Sequence, residues 1–386
     1  ERGLTVDFSY SEEQQMLQES VQKFVMQKYD FYTRDDIIKS EAGYSAGNWT
    51  MFAELGWLTV PFTEEDGGFG GNAVDLMVMM EEFGKGMLVE PYLSCAVMGG
   101  TLIADLGNEE QKGALIPQIM EGAMITAVAY AEQGSRFNPN NVKTTATAAG
   151  DELVLNGAKT NVLGAPNAQT IIVSARESGA STDSEGISLF LVDATAPGVS
   201  IQSYTTIDGR KAGEVTLADV RVPATARLGA AGGAGAALSA VIDRATLAVA
   251  AEAVGAMDSL LTKTVEYSKT RKQFGTAIGT FQALQHRMSD MFIQCQLARS
   301  IVVRAAMILD SDEDAVSKAR AVSSAKSRVG KSIRLVGQEA VQIHGGIGVT
   351  DELDVGHLFK RVTALDLMFG NAEYHLQRFA SLWLSI

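Results

Sequence analysis

Hydrophobic periodicity changes twice along this 386-residue chain, and that change limits the possible folds more than any single motif. Ser11-Glu12-Glu13-Gln14 has the form of a capping box, and Met16, Leu17, Val21, Phe24 and Val25 then recur at helical spacing. Further helices are expected over 50–55, about 75–83, from Pro91 through 103, and over 108–116, where Pro117 would end the last. A glycine-dense loop, 64–71, interrupts them. Segments 125–131, 143–148, 152–155, 170–175, 187–192 and 213–220 are short and carry branched apolar residues instead. The turn signals Asn156-Gly157 and Asp208-Gly209 lie among them, the pattern of antiparallel strands. Residues 229–236 are all Gly or Ala and read as a flexible joint. Beyond it apolar residues again recur at three and four over 238–268, 281–309, 314–343 and 366–383, which predicts a four-helix bundle.

The expected architecture is α+β: an N-terminal helical domain over 1–125, a middle antiparallel β domain over 126–228, and a C-terminal four-helix bundle domain over 229–386. A chain of this length can bury two or three cores. Its formal net charge of −14 argues against bulk nucleic-acid binding. Cys95 and Cys295 lack metal-ligand spacing and read as buried free thiols in a reducing compartment. The four histidines fit no zinc motif, so no metal is expected. The opening segment, 1–8, has no apolar run that would suggest a signal peptide. No uninterrupted apolar run suggests a membrane span, and a cytoplasmic protein is expected.

Two motifs carry the chemistry. One is Tyr267-Ser268-Lys269-Thr270-Arg271-Lys272-Gln273-Phe274-Gly275, preceded by Gly255 sixteen residues before Arg271 and followed by Ile278-Gly279 and Phe281-Gln282. The other is Gln342-Ile343-His344-Gly345-Gly346-Ile347-Gly348-Val349, a compact turn between helical segments. A guanidinium suits a diphosphate because it donates several oriented hydrogen bonds. Paired glycines allow close backbone approach to a ligand.

These elements in this order, with 218–223 and Leu228-Gly229 as the exit from the β segment, resemble the acyl-CoA dehydrogenase family over nearly the whole chain. The segment 369–376 is similar to the small subunits of bacterial two-component, pimeloyl-CoA-like acyl-CoA dehydrogenases, some of which act on sterol side chains. The resemblance implies FAD, an acyl-CoA substrate, a tetramer in which neighbouring subunits share each flavin site, and an electron-transfer flavoprotein as acceptor. It implies that Arg271 contacts the diphosphate of FAD held mainly by a neighbour, with Gln273 and Phe274 on its adenine or phosphate side. Gln342, Gly345 and Gly346 correspond to the other cross-subunit contact. Ser135, Asn161 and Leu163 fall in the two β-domain loops that surround the flavin ring. Leu163 replaces a common threonine there, and Asn161 a common tryptophan.

The family's base is a single carboxylate, whose pKa a dry pocket raises toward the working range. Its two known placements fall on Gly370 and Ala245, and neither residue can accept a proton. Asp243 lies two positions from Ala245, about 200° round a helix, and Glu252 lies two turns on along the same face. Both are candidate bases; Glu373 could reach inward only if its loop differs from the common form. The double absence points to a heterotetramer whose second subunit supplies the carboxylate, with a homotetramer using a displaced base, or a non-catalytic flavin-site or assembly subunit, as the alternatives. A dicarboxylic acyl group would favour a basic residue such as Arg244 or Arg136.

Overall fold

A computed structural model describes residues 10–384, and the opening segment, 1–8, lies outside them. Helix α1 (Glu12–Lys28) starts at the capping box: the Ser11 hydroxyl accepts from Gln14 N–H, and the Gln14 side chain accepts from Ser11 N–H. Short helices α2 (Phe31–Lys39) and α3 (Ala46–Glu54) follow, then α4 (Ala73–Gly86). A π-helical turn, Leu93–Gly100, runs directly into α5 (Thr101–Leu106), and α6 (Glu109–Met120) closes the helical region. Pro117 does not end α6; it lies inside the helix, which continues to Met120.

Eight strands come next: β1 (Thr126–Ala129), β2 (Thr145–Ala149), β3 (Glu152–Leu163), β4 (Thr170–Arg176), β5 (Ile187–Asp193), β6 (Val199–Thr205), β7 (Lys211–Pro223) and β8 (Arg227–Leu228). They form one sheet in the order β6-β7-β3-β2-β4-β5-β8, with β1 also on β4. Most pairs are antiparallel, but β1 and β2 meet β4 in parallel, so the sheet is mixed. A separate core of Leu155, Val162, Phe190, Val215 and Val220 fills it. The glycine-alanine run is not a free joint. Gly232 N–H donates to Ser188 Oγ at 2.7 Å, Gly186 N–H to Gly232 O at 2.9 Å and Ala234 N–H to Ile187 O at 2.9 Å, which stitches the run to β5.

Helix α7 (Gly235–Thr270) then crosses the molecule and ends in a small hairpin, β9 (Lys272–Gln273) with β10 (Thr276–Ala277). Helices α8 (Gln282–Leu309) and α9 (Ala315–His344) complete the long part of the bundle. The expected last helix, 366–383, is α11 (Ala372–Leu384), which starts later; a further helix that the spacing did not predict, α10 (Asp354–Leu367), precedes it, with a loop at 368–371 between them. The loop contains Phe369 at φ 57° and Gly370 at φ 117°, both outside right-handed helical space, so one continuous helix cannot pass through it.

Helices before and after the sheet share one apolar core that includes Phe52, Trp57, Leu76, Leu247, Val254 and Val336. The crossing of α4 and α7 is the tightest part. A Cβ on Gly255 would lie 1.8 Å from Glu81 O, and one on Gly84 would lie 1.9 Å from Glu252 O. Backbone meets backbone here, so Gly255→Ala is expected to cost about 1–3 kcal/mol, read as a lower thermal unfolding midpoint. Gly346→Ala, where nothing lies within 4 Å of the added carbon, should leave that midpoint unchanged.

By length and composition α8 is apolar enough to cross a membrane, but it packs against α7 and α9 in the bundle. Its outer side exposes Phe292, Ile293 and Leu297.

Candidate active site

The two sequence motifs meet at the C-terminal ends of α7 and α9. The Tyr267 ring stacks on His344 with centroids 4.3 Å apart, and Tyr267 Oη donates to His344 O at 3.4 Å. This joins the Arg271 hairpin to the turn 345–349. Arg271, Gln273, Gln342, Gly345 and Gly346 are all exposed on this surface. Phe274 stands almost fully exposed at the hairpin tip, edge-on to Phe281. A Cβ on Gly345 or Gly346 would meet nothing within 4 Å, so the backbone there is open.

The β-domain candidates lie elsewhere and are less free. Ser135 is buried and spent on its own turn: its Oγ donates to Glu132 O at 2.8 Å and accepts from Glu132 N–H at 3.1 Å. Asn161 is exposed at φ 52°, and its Oδ1 accepts from Tyr204 Oη at 3.2 Å. Leu163 is half-buried and lines a cavity of about 40 Å³ with Ser94, Met98, Tyr130, Ala131 and Phe369. That volume holds roughly one water.

Neither candidate base is free. Both oxygens of Glu252 are taken by Arg361, Nε to Oε1 at 2.7 Å and Nη2 to Oε2 at 2.6 Å, and Arg210 Nη2 adds a bond of 2.9 Å. Arg361 also donates to Asp208 at 2.5 Å. Arg34 joins the same cluster through Asp208 O at 2.9 Å and His357 Nδ1 at 3.3 Å. Burial pushes the Asp208 carboxyl up, but Arg361 and Arg210 more than offset this and hold it below its usual range. Both carboxylate oxygens of Glu252 are thus held by arginine at the junction of α7, α10 and the turn before β7, and the residue is buried there.

Asp243 is nearer the loop 368–371. It lines a cavity of about 170 Å³ with Asn138, Ser239, Thr246, Tyr374 and His375. Burial pushes its carboxyl up, opposed by Arg378, which grips it with Nη1 at 2.5 Å and Nη2 at 2.8 Å. It too is an ion-pair member in this structure. Glu373 is exposed and does not reach inward. Arg136 is exposed, and Arg244 Nη2 turns toward Gly71 O at 3.5 Å.

The loop at the expected base position is held from below. Lys326 Nζ donates to Asp366 O at 2.8 Å and to Gly370 O at 2.7 Å. Burial pushes this lysine down to about 7. His375 Nε2 pairs with Phe369 O at 3.1 Å, and its Nδ1 faces Ser323 Oγ at 3.4 Å. A neutral ring with its proton on Nε2 satisfies both contacts. Burial, then Lys326 and Arg378, pushes His375 from 6.5 down to about 3. The unfolded chain therefore takes up a proton between those two pH values that the folded chain refuses, and stability falls as pH falls through that window. Urea midpoints measured from pH 7 to pH 4 should show this decline, and His375→Gln should flatten it. None of Lys326, His375, Arg378 or Tyr374 stands out in the sequence, because each acts through a contact distant in sequence or around a loop.

Comparison with known proteins gives this arrangement its context. Profiles of the acyl-CoA dehydrogenase N-terminal, middle and C-terminal domains match residues 11–123, 127–220 and 231–382. Acyl-CoA dehydrogenase FadE12 of Mycobacterium tuberculosis is 33% identical over 90% of this chain and 90% of its own length. The chain belongs to the acyl-CoA dehydrogenase family. Two solved structures are close in shape as well. One is a variant of the Tcur3481-Tcur3483 steroid ACAD, with TM-score 0.86 and 29% identity over 97% of this chain and 98% of that one. The other is the ChsE4-ChsE5 complex of M. tuberculosis, with TM-score 0.89 and 25% identity over 99% of this chain and 100% of that one.

Acyl-CoA dehydrogenases are flavin-dependent oxidoreductases, and this chain meets their cofactor unequally. The outward surface at Arg271, Gln342, Gly345 and Gly346 fits a diphosphate presented from outside: an exposed guanidinium and open backbone. The inner side, at Tyr130, Leu163, Met368 and Phe369, does not fit a tricyclic ring in a space of about 40 Å³.

Proposed function

We propose that this chain is one subunit of an FAD-dependent dehydrogenase that introduces an α,β double bond into an acyl-CoA thioester, and that a second, related subunit supplies the catalytic carboxylate. One observation carries this reading. Gly370 and Ala245 stand where the resemblance puts the family's base, while Asp243 and Glu252, the two candidate acids on α7, are each engaged at both oxygens by arginine.

FAD, when bound, would accept the β hydride. This chain's part would be to hold the outer half of a cofactor seated mainly on the partner, with Arg271 and Gln273 toward the phosphates, Phe274 toward the adenine side, and the Gln342, Gly345 and Gly346 backbone alongside. Likeness to the ChsE4-ChsE5 complex supports a heteromer. So do Phe292, Ile293 and Leu297 on α8, since an exposed apolar strip of this kind marks an interface. A heterotetramer follows the family's pattern. Likeness to a steroid ACAD favours a sterol side chain or fatty acyl group as substrate, an electron-transfer flavoprotein would reoxidise the flavin, and the assembly would work in the cytoplasm.

Co-purification of the chain with the product of a neighbouring dehydrogenase-like gene, followed by dye reduction with a panel of acyl-CoAs, tests the reading. Activity is expected only from the pair; full activity of the isolated chain would sink it. Asp243 supports one other reading, because it lines the cavity beside the loop 368–371. In that case Asp243→Asn would abolish exchange of the substrate α proton, whereas the two-subunit reading expects exchange to survive.

A further inference from the structure

We propose that Tyr267 and His344 are positioning residues for the shared cofactor: their stacked rings fix the spacing between Arg271 and the glycine turn, and with it the hold on FAD. The inference rests on the cofactor reading above and deepens it, since it names what shapes that surface rather than what touches the ligand.

The two cofactor motifs end different helices. Arg271 follows the last residue of α7, and Gly345 follows the last residue of α9. Each would reach a diphosphate seated mainly on another subunit, so the ligand does not set either position before assembly. Both are tied to the ring pair instead. Arg271 N–H donates to Tyr267 O at 2.8 Å, which places the Arg271 backbone one helical turn past the tyrosine. Ile278 N–H donates back to Arg271 O at 2.8 Å and closes the hairpin on the same residue. On the other side, His344 comes immediately before Gly345, whose φ of 68° and ψ of −146° suit glycine and strain other residues. The turn then doubles back: a Cβ on Gly348 would lie 2.9 Å from His344 Cβ. His344 is 6% exposed, and its Nδ1 lies 2.8 Å from Ala340 O, which fixes the plane of the ring.

The rings join these two frames. Their centroids lie 4.3 Å apart with 27° between the planes, and Tyr267 Oη donates to His344 O at 3.4 Å. Among the described residues no other hydrogen bond, ion pair or ring contact links 267–282 to 342–349. Without the stack, no such link fixes one motif against the other. FAD binding must then order the two motifs as well, and that ordering weakens it.

Two variants separate ring from hydroxyl. Tyr267→Leu keeps apolar bulk and loses the ring, whereas Tyr267→Phe keeps the ring. In the assembled enzyme, flavin absorbance after dilution should show FAD held roughly 3–10-fold less tightly in Tyr267→Leu, the range an aromatic pair contributes. Tyr267→Phe should stay within about twofold of the wild type, because a hydrogen bond of 3.4 Å is weak. His344→Ala, which breaks the stack from α9, should match Tyr267→Leu. A merely structural tyrosine leaves the effect of Arg271→Ala unchanged; a positioning one makes Arg271→Ala lose less affinity in the Tyr267→Leu background than in the wild type. Hydrogen exchange on the isolated chain reads the strut with no cofactor: the peptide 272–281 should exchange faster in Tyr267→Leu and His344→Ala than in Tyr267→Phe. Wild-type FAD retention or wild-type exchange in both Tyr267→Leu and His344→Ala would overturn the proposal. So would an undiminished Arg271→Ala effect in the Tyr267→Leu background. Flavin retained by Arg271→Ala alone as by the wild type would instead remove the cofactor reading, and the proposal with it.

Discussion

Arg361→Ala is expected to lower stability by about 3–5 kcal/mol, because it strands buried carboxylates that this one guanidinium neutralises. Arg361 is 1% exposed and donates to both oxygens of Glu252 and to Asp208. Its removal leaves two buried anions, Asp208 and Glu252, beside Arg210. A cavity is added to that electrostatic cost. Arg361→Lys should fail nearly as badly, since an ammonium cannot reproduce the two-pronged contact with Glu252. Glu252→Gln should also destabilise, by leaving excess positive charge among Arg34, Arg210 and Arg361. The double replacement Arg361→Met with Glu252→Leu should be milder than the two single costs added, which a double-mutant cycle would measure. The chain contains more than one structural unit, so the first urea transition is the quantity to compare. Equal midpoints for wild type and Arg361→Ala would show that the cluster contributes nothing to the fold.

The second large effect is functional. On the proposed shared site, Arg271→Ala weakens FAD binding in the assembled enzyme roughly 10–100-fold, the loss expected for hydrogen bonds to a charged group. Because Arg271 is exposed and lies just after the end of α7, its removal should shift the chain's own unfolding by no more than about 0.5 kcal/mol. That split between affinity and stability is what separates a cofactor contact from a structural arginine. Arg271→Lys should fall between the two, with charge retained and bidentate geometry lost. Flavin absorbance per subunit pair after dilution gives the measurement; unchanged flavin retention in Arg271→Ala would remove this residue from the site.

Much of the fold is legible in the sequence because its signals are local. The capping box at Ser11, the helical spacing of α7, α8 and α9, and the Asp208-Gly209 turn before β7 each depend on neighbours within a few positions; Asn156-Gly157, expected as a turn, instead lies inside β3, where the pairing with β7 shifts register. Sequence and structure part where distant contacts intervene. The run 229–236 is flexible by composition, yet β5 and Ser188 hold it down. Strand β6 is absent from the sequence reading although Val199, Ile201 and Tyr204 carry the residue types of a strand; its burial is partial, and only pairing with β7 fixes it. The segment 366–383 reads as one helix because its apolar spacing continues across the break. The break comes from the backbone of Phe369 and Gly370, held by Lys326 from another helix.

The site divides along the same line. Arg271, Phe274, Gln342 and the paired glycines stand out in the sequence because each belongs to a short motif. The sequence also determined by itself that Gly370 and Ala245 cannot take a proton, since neither side chain carries an acid or base. The state of the remaining acids was decided by tertiary structure alone. Asp243 and Glu252 are equally good carboxylates as residue types, but a carboxylate's freedom depends on what folding brings beside it. Arg378 reaches Asp243 from 135 residues away and Arg361 reaches Glu252 from 109 residues away, and no local pattern encodes those distances.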